Sequence, residues 1–282
     1  MALKDKVLHQ WLPIPYLLHT TISRSSPSRK ATATLLFLHG IGSSEEAWHD
    51  VITRLPANYR IITIDLLGFG KSPKPTWNTY DARRQARAII ITYLRLRIRG
   101  KVTVIGHSLG ALVAVEMAKR YPRIIGSLIL CSPPFYNTNQ RKQLLPNSDI
   151  LLRNMYRLAR THPAQFVKLS ALAVKLGLTN KSYSLTKDNV AIYMDVLEAT
   201  IINQTSLEDA MNIRTPMKII YGRLDPIVVT RNLHVLVKSN TNTTLTTVLA
   251  GHEIKGSYVD TVVKTIIKTT EANATSNKIY LL

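Results

Sequence analysis

The sequence has one cysteine, and no apolar run in it approaches the roughly 18 residues that a membrane-spanning helix needs. A single cysteine excludes a disulfide within the chain and a cysteine-rich metal site. Cys131 follows the apolar run SLIL, so we expect a small buried residue there. The N-terminal stretch resembles a signal peptide, but His9, Gln10 and two prolines interrupt it and no small-residue cleavage site follows. The sequence therefore favours a soluble cytoplasmic protein.

Acidic residues are also scarce, because 17 Asp and Glu stand against 37 Lys and Arg, a formal net charge of +20. Clustered cations attract nucleic acids and anionic membranes, since they release counterions from a polyanion. Here the cations are spread along the chain. The densest stretch, 95–101, lies at the end of a helical pattern, where the negative end of the helix dipole stabilises arginines. We expect a small-molecule substrate and no nucleic acid, with weak association with anionic surfaces left open.

The pattern of apolar residues predicts an α/β fold. Hydrophobic residues make up 45% of the chain, enough for a large core. Short β-branched runs alternate with helical patterns, as in a mostly parallel sheet covered by helices. The expected strands are 33–40, 60–68, 101–106, 127–132, 217–222 and 243–249, and residues 9–24 suggest a preceding antiparallel hairpin. Only helical patterns occupy 136–214, so we predict a core of residues 1–135 and 215–282 with a helical insertion at 136–214.

The pentapeptide GHSLG, residues 106–110, places Ser108 between a predicted strand and a predicted helix. A sharp strand-to-helix turn needs small residues two positions before and after the serine, because neighbouring backbone approaches closely there. The turn also puts the serine oxygen at a helix N-terminus, which favours developing negative charge. The alternative is an ordinary helix-capping serine. The three fixed letters of the pattern G-x-S-x-G recur by chance in about one chain in ten of this length, so the pentapeptide alone does not decide between the two.

A serine hydroxyl is a poor nucleophile until a base removes its proton, so the chemistry also needs a histidine. His252 is the best candidate, because it stands in a small-residue loop just after the last predicted strand. His39 is expected to brace the turn after the first core strand, and His107 to point away from the serine. The remaining histidines, which lie in segments with no evident chemical role, are His9, His19, His49, His162 and His234.

Two further groups complete the predicted site. Asp225, in the loop GRLDPIV, is the carboxylate expected to orient His252, although an aspartate before proline is also common in ordinary turns. Ser108, Asp225 and His252 all follow the carboxyl ends of predicted parallel strands, where open α/β sheets form their sites. The turn HGIGSS follows another strand, and we expect the backbone N–H groups of Ile41 and Leu109 to form an oxyanion hole.

The ordered set HGIG, DLLGFGKS, GHSLG, Asp225 and His252 resembles the α/β-hydrolase fold family, whose triad runs Ser, Asp, His along the chain. The resemblance covers residues 9–270. It implies a mostly parallel sheet of about eight strands with helices on both faces and a helical cap inserted after strand six. Ser108 separates the chain from dehalogenase-like and epoxide-hydrolase-like members, which carry Asp at that turn. In DLLGFGKS, we expect Gly68 and Gly70 to shape a loop beneath the site.

The resemblance implies a hydrolase that cleaves an ester-type bond through an acyl-enzyme. Thioester, lactone and carbon–carbon cleavage, acyl transfer and perhydrolysis use the same residues and stay open, although Glu253 stands where carbon–carbon hydrolases of this kind often carry an aromatic residue. The rival of another class is a non-catalytic basic protein that binds an acidic partner or a membrane surface. No metal-ligand cluster is evident in the sequence, so we expect neither a metal nor another cofactor.

The insertion offers one hint about the substrate, which is a set of apolar residues at helical spacing. They either face an apolar acyl or alcohol group or simply form core. The members of this set are Met155, Phe166, Leu169, Leu172, Ala173 and Val174.

Overall fold

A seven-stranded sheet forms the centre of the molecule. The computed structural model describes residues 7–12, 14–23, 31–77, 79–98, 100–136, 154, 156–177 and 179–279. The strands are β1 (Thr20–Ser23), β2 (Ala33–Leu38), β3 (Tyr59–Ile64), β4 (Val102–His107), β5 (Ile125–Cys131), β6 (Met217–Gly222) and β7 (Thr243–Val248). Their order across the sheet is β1-β3-β2-β4-β5-β6-β7, and only β1 pairs antiparallel. The mostly parallel α/β sheet and its six predicted core strands are confirmed.

The N-terminal edge of the sheet differs from the expectation. About eight strands were expected, whereas the described residues form seven. Among the described residues of the predicted hairpin, only Thr20–Ser23 form a strand. Val7–Trp11 form a π-helix, and Pro15, which has no N–H to donate to a ladder, follows it. Among the strands that the structure describes, the insertion predicted at 136–214 comes after the fifth.

Helices cover both faces of the sheet. They are α1 (His49–Ile52), α2 (Ala82–Arg95), α3 (Leu109–Arg120), α4 (Pro163–Lys175), α5 (Val190–Val196), α6 (Ser206–Asn212), α7 (Thr230–Ser239) and α8 (Ser257–Ile279), with a 3₁₀-helix at Glu45–Trp48 and a π-helix at Leu197–Ile202. Alternation along β2 shows the two layers: Leu36 and Leu38 join the core under α2 and α3, whereas Leu35 and Phe37 join the core under α8. Across the described residues, no helix is both long and apolar enough to cross a bilayer.

The described chain between β5 and β6 consists of helices joined by turns and loops. Residues 156–161, α4, α5, the π-helix and α6 all belong to this stretch, and its described residues contain no strand. This agrees with the helical patterns of the predicted insertion at 136–214. The division of the chain into a core and a separate cap domain stays a prediction.

Candidate active site

Ser108 occupies a sharp turn between β4 and α3. Its φ of 51° lies in the left-handed region that residues other than glycine rarely adopt. The two flanking glycines make the turn possible, because a Cβ on Gly106 would overlap the carbonyl oxygen of Gly110, and a Cβ on Gly110 would overlap that of Leu38. The close backbone approach that the sequence predicted is therefore present, and Ser108 stands at the start of α3.

The close approach of Gly110 to the Leu38 carbonyl oxygen leads to a prediction about the stability of the fold. We expect Gly110→Ala to lower the free energy of unfolding by about 1–3 kcal/mol, because the added methyl group forces β2 and α3 apart. Gly251→Ala is the matched control, since nothing lies within 4 Å of a Cβ there, and its change should stay within about 0.5 kcal/mol. Urea unfolding followed by circular dichroism measures both. Equal midpoints for the two variants would contradict the packing described for the turn.

The loops after β6 and β7 bring Asp225 and His252 together. Nδ1 of His252 lies 2.8 Å from Oδ2 of Asp225, and the Asp225 side chain is completely buried. Its other oxygen, Oδ1, accepts hydrogen bonds from the backbone N–H groups of Ile227 at 2.9 Å and Val228 at 3.3 Å. The two loops come this close because Gly222 has no side chain: a Cβ there would overlap carbonyl oxygens of the β7 loop.

The pairing sets the charges of Asp225 and His252. Burial alone raises the pKa of a carboxyl group and lowers that of an imidazole. Here the hydrogen bond and the attraction between the two groups outweigh burial, so the pKa of Asp225 lies below its ordinary value and the pKa of His252 lies above its own. Because the carboxylate accepts the proton on Nδ1, the neutral imidazole keeps Nε2 as its basic nitrogen.

Ser108 and His252 line the same cavity, whose volume is about 640 Å³. Ile41, in the turn after β2, also lines it. Leu109 is the first residue of α3, directly after Ser108, and its side chain is buried in the core. In the described structure Ser108 Oγ is not hydrogen-bonded to His252, and such contacts often tighten only when a substrate binds. The structure thus gathers the predicted groups at the carboxyl edge of the sheet.

Comparison with known proteins settles the family. A sequence profile of the alpha/beta hydrolase fold matches residues 33–255. The chain belongs to the α/β-hydrolase fold family. Two solved structures have the same fold as this chain. The enol-lactonase from Burkholderia xenovorans LB400 has a TM-score of 0.72 and 18% identity, and the match covers 89% of this chain and 95% of that chain. An esterase from Exiguobacterium antarcticum has a TM-score of 0.72 and 16% identity, and the match covers 90% of this chain and 95% of that chain.

The curated relatives of this α/β-hydrolase fold chain are matched over part of their length. The probable lysophospholipase BODYGUARD 2 from Arabidopsis thaliana is 30% identical over 157 residues, which are 53% of this chain and 32% of that protein. An uncharacterised protein of Mycobacterium tuberculosis is 27% identical over 227 residues, which are 71% of this chain and 64% of that protein. The matched stretches therefore span less than two thirds of both relatives.

The wall of the cavity opposite the sheet comes from the insertion and is largely apolar. Of the apolar residues singled out in the sequence, Phe166, Leu169 and Ala173 line the cavity. The expectation for Leu172 is wrong, because half of its side chain is exposed and it is not among the residues that line the cavity. Val174 is not among the residues that line the cavity, and Met155 lies outside the described residues. Helical spacing predicted the helix, but it did not predict which of the apolar residues on that helix face the cavity.

His107 contributes to the site in a way that the sequence prediction missed. It is among the residues that line the cavity, and the expectation that its ring points away from the serine stays a prediction. Its Nε2 lies 2.9 Å from the main-chain oxygen of His252, so Nε2–H donates and tethers the loop that carries His252. Burial and the neighbouring His252 lower the pKa of His107, which keeps it neutral. The only available signal was its position at the end of the strand that delivers Ser108.

The turn beside Ile41 is held by His39, as expected. Its Nδ1–H donates to the Gly40 oxygen at 2.7 Å, and its Nε2 accepts from the Leu66 N–H at 2.9 Å. Both ring nitrogens are therefore engaged, and the ring is fully buried. His39 joins the loops after β2 and β3 and has no nitrogen left to move a proton.

The glycine-rich loop after β3 is shaped around a buried carboxylate. Asp65 accepts hydrogen bonds from the N–H groups of Glu45 at 2.7 Å and Lys71 at 2.8 Å. Gly70, at a φ of 51°, passes so close to this carboxylate that a Cβ would overlap it, and at Gly68 a Cβ would contact Tyr80. The two glycines shape the loop as predicted. Among the described residues, no three His, Cys, Asp or Glu side chains cluster as a metal site requires.

Proposed function

We propose that the chain is a serine hydrolase that cleaves an ester bond of a small or medium apolar substrate through an acyl-enzyme. One observation carries the proposal: Ser108, on a positive-φ turn, shares a cavity with His252, which is hydrogen-bonded to buried Asp225. A nucleophile, a base and a group that orients the base are the parts that acyl transfer by serine needs. The names of the relatives, which include an esterase, an enol-lactonase and a probable lysophospholipase, agree with ester hydrolysis.

The first half of the reaction forms the acyl-enzyme. Nε2 of His252 takes the proton from Ser108 Oγ while that oxygen attacks the carbonyl carbon of the ester. The backbone N–H groups of Ile41 and Leu109 hold the oxyanion of the tetrahedral intermediate. Asp225 keeps the proton on Nδ1 and stabilises the imidazolium. The intermediate collapses when the bond to the alcohol oxygen breaks, and His252 gives its proton to the departing alcohol.

The second half releases the acid and restores the enzyme. A water molecule takes the place of the alcohol and loses a proton to Nε2 of His252. The resulting hydroxide attacks the acyl carbon, the N–H groups of Ile41 and Leu109 again hold the oxyanion, and the bond to Ser108 Oγ breaks. His252 returns its proton to the serine oxygen. The net reaction converts one ester and one water molecule into an acid and an alcohol, and the residues of the site return to their starting state.

We propose that the insertion acts as a cap over this cavity. Its described residues 177 and 179–184 are tied to the loops that carry Ile41 and His252. The Ser184 N–H donates to the Gly42 oxygen at 2.8 Å, next to Ile41. From the other side, Lys255 Nζ, three residues after His252, donates to the Gly177 oxygen at 2.7 Å. A segment fixed at these two points excludes water from the cavity and limits the length of the acyl group.

The charge of the cavity favours neutral substrates. Among the described residues that line it, Glu253 is the one that carries a carboxylate and none is Lys or Arg, although the chain carries a net charge of +20. Glu253 would therefore repel an anionic substrate, and none of the described lining residues offers a cation to offset that repulsion. Together with the apolar wall, this favours uncharged acyl and alcohol groups.

Substitution of Glu253 tests this charge selection. The measured quantity is the ratio of kcat/KM for an ester that carries a carboxylate to kcat/KM for the uncharged ester of equal length. We expect Glu253→Gln to raise this ratio by about tenfold, because one repulsive charge within the cavity is removed. The negative charge also helps to raise the pKa of His252, so the acid limb of the pH profile should move to lower pH. Glu46→Gln, at an exposed position outside the cavity, is the control. An unchanged ratio of the two esters would contradict the assignment.

A substrate profile tests the proposed function itself. We expect hydrolysis of uncharged nitrophenyl esters, with a maximum at short or medium acyl length, and a rapid initial release of nitrophenol as the acyl-enzyme accumulates. Thioesters, lactones and carbon–carbon substrates, assayed in parallel, decide among the reactions that share this triad. Failure to turn over any of them, with heparin binding retained, would support the non-catalytic alternative instead.

A further inference from the structure

One face of α4 and the residue after it expose leucines. Leu169 is 53% exposed, Leu172 is 50% exposed, and Leu176, directly after the helix, is 65% exposed. Spacings of three and four residues put them on one face of the helix, and we call them the leucine face. Leu169 also lines the cavity, so the leucine face is continuous with the proposed active site. Large apolar side chains exposed together at a cavity point to a contact surface.

The chain around the leucine face is strictly basic. No Asp or Glu occurs between residues 154 and 187. The basic residues of this stretch are Arg157, Arg160, Lys168, Lys175, Lys181 and Lys187. Lys168 and Lys175 are exposed, and they stand four residues before and three residues after Leu172, which makes both of them its neighbours on the helix surface. The leucine face is thus bordered by cations.

We infer that α4 docks the protein on an anionic lipid bilayer. A helix whose apolar face is flanked by lysines lies in the bilayer interface, with its leucines among the acyl chains and its lysines at the headgroups. The charge argues against the other occupants. A second copy of the chain would bring another +20 to the same basic surface, and a nucleic acid would match the lysines but leave the leucines without an apolar partner.

Docking in this orientation gives the cavity a source of substrate. Because Leu169 belongs both to the leucine face and to the cavity wall, an amphiphilic ester leaving the bilayer meets a continuous apolar surface. This delivery step rests on the proposed hydrolase function, whereas binding to the bilayer does not. The two are therefore measured separately.

Vesicle co-sedimentation tests the docking surface. We expect the protein to bind vesicles of phosphatidylcholine and phosphatidylserine, and Leu172→Gln with Leu176→Gln to weaken that binding by at least about tenfold. Lys168→Gln with Lys175→Gln should weaken it by about fivefold for each lysine, and added salt should weaken the binding of the unmodified protein. The matched control is Ile91→Gln with Leu94→Gln, two apolar residues that are 38% and 52% exposed on basic α2, which should bind like the unmodified protein.

The results separate docking from catalysis. Turnover of a soluble short-chain ester checks that the leucine variant is folded, because neither of its positions lines the cavity. Ser108→Ala should lose that turnover and still bind vesicles. Docking is overturned if the leucine variant binds as well as the unmodified protein, if the α2 control loses as much, or if only a DNA duplex binds. Vesicle binding without any ester hydrolysis would instead overturn the proposed function and leave the docking surface standing.

Discussion

We expect Ser108→Ala to lower kcat for ester hydrolysis by about 10⁶-fold, which is the loss that removal of a triad nucleophile causes. Without Oγ the proposed acyl-enzyme cannot form, and only the proposed oxyanion hole and substrate binding would remain to speed the reaction. The substitution removes one oxygen and keeps a Cβ at the strained φ of 51°, so the turn should stay folded. Initial rates with an uncharged nitrophenyl ester, measured at saturating substrate, give kcat.

The matched control for this loss is Ser127→Ala. Ser127 is also a buried serine of the sheet, but its Oγ pairs with Thr103 and it does not line the cavity. We expect this variant to keep its turnover. If Ser108→Ala also kept its turnover, Ser108 would be a helix cap and the nucleophile would lie elsewhere.

We expect Asp225→Asn to lower kcat by about 10⁴-fold, because an amide no longer holds the proton on Nδ1 of His252. The pH profile should change as well. In the unmodified enzyme His252 must be neutral to act, and its pKa is raised by Asp225, so activity is lost as pH falls through a value above that of an ordinary imidazole. Without the carboxylate the pKa of His252 falls, and the acid limb moves to lower pH.

Asp50→Asn is the control for Asp225→Asn, since Asp50 is an exposed aspartate in α1. It should change neither kcat nor the acid limb. An Asp225→Asn enzyme that keeps both its kcat and the position of its acid limb would show that this carboxylate does not orient the base. A loss of kcat with no shift of the limb would mean that its charge does not act on His252.

Most of the sheet and the chain positions of the candidate site were predictable because their signals are local. Five of the six parallel strands are short, largely apolar runs that end at a glycine or a polar residue, as buried parallel strands do, whereas β7 is rich in threonine. The turn at Ser108 depends on Gly106 and Gly110, which the pentapeptide itself contains. Parallel strands end at one edge, so the loops carrying Asp225 and His252 had to meet Ser108 there.

The features that the sequence did not predict are contacts between distant parts of the chain. His107 donates to the carbonyl oxygen of His252, and no pattern in either segment indicates that bond. Leu172 has the same helical spacing as the cavity residues of α4, but spacing does not say which face meets the rest of the protein. At the N-terminal edge, a π-helix at Val7–Trp11 replaces an expected strand, because the antiparallel edge depends on only one neighbour, β3.

Labelling with a serine-reactive fluorophosphonate tests the central claim most directly, because the probe reacts only with a serine that a base activates. After digestion, mass spectrometry should find one adduct, on the peptide that contains Ser108, and excess ester substrate should slow its formation. Ser108→Ala should carry no adduct, and Ser127→Ala should be labelled like the unmodified protein. An adduct on another residue, or the absence of any adduct on a protein that hydrolyses esters, would contradict the assignment of Ser108 as the nucleophile.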